Sequence, residues 1–294
     1  MKLTSDISPL IPLLAASLIA SVECTAQTVA PADDSRPALQ ARAERGDVDA
    51  QFSLGVLLHR SEAKAEGIDW FRKAGEQGHA AAQANLGVIS ANGLGVAKDD
   101  AAAVSWFRKA AQQGEPEAMY NLGVKYAEGQ GIARDEVEAV KWYQKAAEQG
   151  NARAQDNLGW AYAKGVGVAE NEAEAVKWFR QAAEQGLANA QANLAVCYAT
   201  GYGIAKSDAE ALKWYRKAAE QGLIKAEYSL GAMYANGDGV PRDFVEAYKW
   251  LNLAAASGDE WAVRGRAELE QKMSRAQIAE AQQLSRLLRR TAGL

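Results

Sequence analysis

Tryptophan recurs at positions 70, 106, 142, 178, 214 and 250, each 36 residues after the last. Glycine keeps the same step at 78, 114, 150, 186, 222 and 258, and alanine at 82, 118, 154, 190, 226 and 262. Leucine joins them at 86, 122, 158, 194 and 230. Whole decapeptides are nearly copied: KWYQKAAEQG at 141–150, KWFRQAAEQG at 177–186 and KWYRKAAEQG at 213–222. A fixed period of this size marks a solenoid, in which each unit buries its apolar face only by stacking on the next.

Spacing within a unit is helical. Ala118, Leu122 and Tyr126 lie at i, i+4 and i+8, on one face, and the set returns as Ala154, Leu158, Tyr162 and onward. A glycine after the leucine (Gly87, Gly123, Gly159, Gly231) lowers helix propensity and signals close approach of a neighbouring helix; Ala195 shows that one such approach accepts a methyl group. The second helix opens at Asp99, Asp135, Asn171, Ser207 or Asp243, all good N-caps. Glu138, Glu174, Glu210 and Glu246 follow three places on, which predicts a reciprocal capping box in each of these units. Ala139, Val140, Trp142, Tyr143, Ala146 and Ala147 supply the buried stripe, each repeated Trp is placed to fill the gap between units, and Gly150 stops the helix in a left-handed conformation. Each repeat is thus two antiparallel helices.

The helices are joined by Gly-x-Gly-hydrophobic loops: GLGV at 93–96, GQGI at 129–132, GVGV at 165–168, GYGI at 201–204 and GDGV at 237–240. A glycine-rich loop ahead of a helix can cradle phosphate, but these follow no strand and lack the Gly-Lys-Ser/Thr ending, and a capping side chain occupies the helix N-terminus a phosphate would need. They are read as turns with positive φ and one buried Val or Ile. Net charge is −4 and no Lys/Arg-only run occurs, so no nucleic-acid partner is expected.

The N-terminus differs from the repeats. An apolar run from Leu10 to Val22, short for a membrane span, is followed by Cys24 and Ala26 at the −3 and −1 places of a small-residue cleavage site. Residues 1–26 are read as a signal peptide cut before Gln27. An uncleaved signal anchor is the competing reading, since Lys2 is opposed by Asp6. Cleavage leaves Cys197 as the lone cysteine, expected to be a small buried hydrophobe and no part of a disulfide framework.

The pattern A-x-x-x-L-G-x-x-Y-x-x-G-x-G-V followed by D-x-x-x-A-x-x-W-(Y/F)-x-x-A-A-x-x-G resembles the Sel1-like repeat, a relative of the tetratricopeptide repeat. The resemblance covers 47 to about 258, with five full copies. It implies an all-α, right-handed α/α superhelical solenoid used as a protein adaptor, often outside the bacterial cytoplasm and attached to signalling or envelope functions. Some relatives carry a pair of cysteines in each repeat; this chain does not.

The expected organisation is a signal peptide at 1–26, a linker and N-terminal capping helix at 27–46, six repeats at 47–258, and C-terminal capping helices at 259–294. The first repeat, 47–78, is four residues short, and its loop lacks Gly-x-Gly. The N-terminal cap is a helix from about Pro37 to Arg45, with Ser35 or Asp34 as N-cap. At the other end a helix from Asp259 to Met273 carries Trp261 and Ala262 in register, and Ser274 and Gln277 form a capping box for a last helix to about Arg290. Its polar residues (Arg275, Glu280, Gln282, Gln283, Arg286, Arg289) suggest a solvated outer face.

The two histidines, His59 and His79, sit in no metal-spaced set, and the many carboxylates occupy capping and helix-surface positions. No catalytic, cofactor or metal site is expected. The expected function is a monomeric scaffold, periplasmic or secreted, that binds another protein through its concave helix face. The alternatives are a repeat-built enzyme or a binder of a small cell-wall-related ligand. On the first helix of each unit, the positions two before and two after the leucine form one stripe that does not repeat: Ala84 and Val88, Tyr120 and Val124, Asp156 and Trp160, Ala192 and Val196, Tyr228 and Ala232. Trp160 breaks the 36-residue period. Tyr120, Trp160 and Tyr228, with Asp156 and Lys164 as polar neighbours, are therefore the candidate partner-binding residues. The plainer reading of these side chains is padding between helices.

Overall fold

A computed structural model describes residues 35–61 and 63–292; the expected signal peptide at 1–26 and the candidate cap Asp34 lie outside the described residues. Fifteen helices and no strand occur among the described residues. They are α1 (Arg36–Glu44), α2 (Val48–His59), α3 (Lys64–Glu76), α4 (Ala80–Asn92), α5 (Asp100–Gln112), α6 (Pro116–Glu128), α7 (Glu136–Glu148) and α8 (Ala152–Lys164). Then come α9 (Glu172–Glu184), α10 (Ala188–Thr200), α11 (Asp208–Ala219), α12 (Ile224–Asn236), α13 (Phe244–Ala256), α14 (Glu260–Glu270) and α15 (Arg275–Ala292).

The chain divides into two compact units, one reaching to Ala154 and including 166–168, the other made of 155–165 and the residues from Ala169 on. In the N-terminal unit α2 packs on α3, α4 on α5 and α6 on α7, while α3 meets α4 and α5 meets α6. In the C-terminal unit α10 packs on α11 and α12 on α13, and α9–α10, α11–α12 and α13–α14 form the links between repeats.

The predicted N-caps hold. Asp99, Asp135, Asn171, Ser207 and Asp243 each accept a hydrogen bond from the amide three residues on. The reciprocal half of the predicted capping box is replaced by something else. The N-cap amides of Asp135, Asn171, Ser207 and Asp243 donate to the carbonyls of Tyr126, Tyr162, Tyr198 and Tyr234, at 2.8–3.0 Å. With that donor taken by the preceding helix, the glutamates turn outward and pair with the lysine three residues on: Glu138 with Lys141, Glu174 with Lys177, Glu210 with Lys213 and Glu246 with Lys249. A reciprocal box does form at Ser274 and Gln277, ahead of α15.

Two glycine types have distinct causes. A Cβ at Gly123 would stand 2.7 Å from the Tyr143 ring, so the absent side chain lets α6 and α7 close on each other. Gly131, second in its loop, has φ 71°, and a Cβ there would fall inside 3.0 Å of the Asp100 carbonyl oxygen, at the start of α5 in the preceding repeat. The hydrophobic residue after Gly-x-Gly is half-buried where a fully buried one was expected: Val96, Ile132, Val168, Ile204 and Val240 all keep some exposure.

The deepest aromatic position is the residue after each tryptophan. Phe71, Phe107, Tyr143, Phe179 and Tyr215 are buried, and Leu251 takes the place in the last repeat. Trp70, Trp178, Trp214 and Trp250 are buried beside them, but Trp106 and Trp142 are only half-buried. The outer ring faces carry lysines: Lys73, Lys109, Lys145 and Lys217 stand 3.7–4.4 Å from the ring of the tryptophan three residues earlier. Such cation–π contacts cover an apolar ring that would otherwise meet water.

Ser35 is the N-cap of α1. At the other end α15 packs on α13. The Tyr248 hydroxyl donates to Glu270 (2.7 Å), Arg266 to Asn252 (2.9 Å), and Asn252 to Ser285 (2.9 Å). Of the residues expected on a solvated face of α15, Arg275, Glu280, Gln283, Arg286 and Arg289 are exposed, whereas Gln282 is half-buried and donates to the Tyr248 hydroxyl.

Candidate protein-binding face

The first helix of every repeat presents two faces. Its leucine and alanine rows are inaccessible: Leu122, Leu158, Leu194 and Leu230 are fully buried. The stripe two places on either side of the leucine is less covered. Tyr120, Val124, Asp156, Trp160, Val196 and Tyr228 are all half-buried, while Ala84, Ala192 and Ala232 are buried.

Of the five candidate residues, Tyr120 belongs to the N-terminal unit and Asp156, Trp160, Lys164 and Tyr228 to the C-terminal one. The Arg153 guanidinium lies 4.9 Å from the Tyr120 ring, and Arg153 is held in turn by Glu117. In the C-terminal unit Trp160 and Tyr228 pack against the edge of the hydrophobic core, leaving part of each ring outside it. The Trp160 Nε1 is buried without a hydrogen-bond partner. Asp156 Oδ1 accepts from Asn193 Nδ2 at 2.9 Å, one helix further on. Burial pushes the Asp156 carboxyl up to about 6 against the opposing effect of that bond. Lys164 is exposed at the end of α8.

Cys197 is buried at 3% exposure, and burial raises its thiol to about 12. It is a core residue, as expected, and no thiolate nucleophile at neutral pH. His79 caps α4: its Nδ1 accepts from the Ala82 amide at 3.2 Å, which fixes the neutral tautomer, and its ring stacks on Phe52. Among the described residues no three His, Cys, Asp or Glu side chains converge as a metal set, and no helix is long and apolar enough to cross a membrane.

Two arrangements were not foreseen from the sequence. One is a ladder of glutamines between units. Gln51, Gln83 and Gln191 donate to the carbonyls of Ala43, Gly75 and Ala183, the end of the preceding helix. Their Oε1 atoms, and that of Gln155, accept from Gln77, Gln113, Gln221 and Gln185, at 2.7–2.8 Å. Gln77, Gln185 and Gln221 are those of the repeated "EQG" and Gln113 holds the same place in "QQG", so the copied decapeptide encodes an inter-repeat bond as well as a helix end. The other is Lys125, buried where the other repeats have Ile89, Ala161, Cys197 or Met233. Its ammonium donates to Asp100 (2.7 Å) and Gln130 (2.8 Å). A charge at an otherwise apolar repeat position was the signal available for it.

A family model described as the Sel1 repeat matches residues 48–79, 80–115, 116–151, 152–187, 188–223 and 224–259. Among solved structures, the chain is similar to a protective antigen present in uropathogenic Escherichia coli strains, displaying an SLR fold: 35% identity, TM-score 0.81, covering 87% of this chain and 56% of the antigen's. This chain therefore spans little more than half of that relative. It is also similar to a Sel1 repeat protein from Oxalobacter formigenes, at 36% identity and TM-score 0.66, over 71% of this chain and 86% of that one. No curated protein matches.

Proposed function

The chain belongs to the Sel1 repeat family, a helical scaffold fold that commonly binds proteins, and we propose that it is a non-enzymatic, exported adaptor gripping a partner protein with the first-helix face of its repeats. The observation that carries this reading is the contrast on those helices. The framework alanine and leucine repeat and are buried, while the neighbouring stripe varies and its large aromatics stay partly exposed. Packing of the repeat does not require Tyr120, Trp160 or Tyr228, since Ala84 and Ala192 fill the register of the two tyrosines and Val88, Val124, Val196 and Ala232 that of Trp160. Aromatics of this kind carry most of the binding energy in protein interfaces.

In the C-terminal unit the proposed anchors are Trp160 and Tyr228, flanked by Asp156 and Lys164; Tyr120 is the corresponding anchor in the N-terminal unit. Affinity capture of the mature protein from its own cell envelope, read by mass spectrometry, identifies the partner. Trp160→Ala should then weaken capture by about 2 kcal/mol or more, the size of a hot-spot loss, with helicity by circular dichroism unchanged. Capture at wild-type strength, or helicity lost along with binding, would assign Trp160 to the core.

Export to the periplasm or beyond is part of the same proposal, supported by the apolar run Leu10 to Val22 and the small residues Cys24 and Ala26. The intact mass of protein recovered from its source should correspond to a chain starting at or near Gln27. A product that keeps Met1 would refute cleavage.

A further inference from the structure

The glutamine ladder changes at the last repeat. Position 227, the register equivalent of Gln191, is Glu, and position 257, the equivalent of Gln221, is Ser. Both changes remove donors. Gln191 offers an N–H to the Ala183 carbonyl and receives one from Gln221. By register the Glu227 carboxyl stands in the place of the Gln191 amide, which gives its N–H to a helix-end carbonyl, and as a carboxylate it has no N–H to offer; Ser257 spends its hydroxyl on the Leu253 carbonyl. Glu227 is nevertheless 4% exposed, and its Oε2 is buried without a hydrogen-bond partner.

A buried carboxylate facing a carbonyl oxygen is repelled, whereas a carboxylic acid can donate as the glutamine amide does. We propose that Glu227 is held as a neutral acid standing in for the repeat's glutamine, and that its ionisation loosens the join between α11, α12 and α13, making this end of the array responsive to pH. The proton leaves to solvent. The charged group whose field reaches the site is Arg289 on α15, which opposes the effect of burial; burial dominates and pushes the carboxyl up to about 7 from its ordinary 4.5.

The sign follows from linkage. With the folded pKa above the unfolded one, the contribution of Glu227 is complete below about pH 4.5 and declines as pH rises through about 7, then levels off. Glu227→Gln restores the residue that four of the other repeats carry as Gln51, Gln83, Gln155 and Gln191, so the variant is expected to fold. Hydrogen exchange of the α12 and α13 amides in the full chain, compared between wild type and Glu227→Gln at each pH, cancels intrinsic exchange chemistry and the titration of Asp156. The opening equilibrium of the wild type should match the variant near pH 4.5 and exceed it on the order of tenfold or more by pH 8. Arg289→Ala should move the wild-type midpoint upward, and the infrared difference spectrum of wild type minus Glu227→Gln at pH 6, in which Asp156 cancels, should show a protonated-carboxyl band. A ratio independent of pH, or no such band, would overturn the proposal.

Discussion

Phe179→Ala should loosen its repeat by about 3–5 kcal/mol, the range for truncating a large buried ring. The ring is 2% exposed and stands against the helix surface that Gly159 leaves open, so nothing nearby can fill the space without moving backbone. Trp178→Ala should cost less, although the indole is larger and also buried. Its Nε1 is buried without a partner, a desolvation cost of about 1–3 kcal/mol that truncation removes. Contacts in a repeat array are mostly between neighbours, so protection should fall first across 151–186 and 187–222 and later at the ends. Residue-resolved hydrogen exchange suits the measurement, because unfolding of a long array need not be two-state. Equal loosening of every repeat, or a larger loss at Trp178 than at Phe179, would contradict this account.

That ordering shows what the periodic sequence conveyed and what it left out. The period, the helix pairs, the N-caps and the close approach at Gly123 follow from spacing and residue type alone, because local backbone chemistry determines them. Which aromatic lies deepest does not, since Trp178 and Phe179 both recur at the same interval and only the helix's rotation against its neighbours separates them. The capping boxes went half wrong for a related reason. The motif at Asp135 and Glu138 is local, but the amide it would satisfy is claimed by Tyr126 from another helix. The recurring Gln ahead of the helix-stopping glycine was in view from the start, and its pairing with Gln51, Gln83, Gln155 and Gln191 needed the stacking of repeats to become visible. For the binding stripe, the sequence supplied the irregularity at Trp160. The structure adds that part of its ring lies outside the core.

Gly131→Ala should be among the most damaging small substitutions in the chain, at about 2–5 kcal/mol, and three glycines separate the causes. Gly114 has φ 93° with nothing within 4 Å of a would-be Cβ, so alanine there meets backbone strain alone, about 1–2 kcal/mol. Gly123 has ordinary helical backbone, and its new methyl would meet the Tyr143 ring, a side chain that can shift. Position 195 is already alanine, against Tyr215 in the equivalent place, so Gly123→Ala should cost about 1 kcal/mol, the low end of overpacking. Gly131 combines both penalties, and the atoms it would strike are the Asp100 carbonyl and the Ala101 nitrogen. These are backbone atoms in the first turn of α5, so relief requires moving a helix, and the overpacking term reaches about 1–3 kcal/mol on top of the strain. The first turn of α5 and the loop at 129–132 should therefore lose exchange protection together in Gly131→Ala. If Gly131→Ala costs no more than Gly114→Ala, the loop does not bear on the preceding repeat, and the second glycine of each Gly-x-Gly would be there for its φ alone.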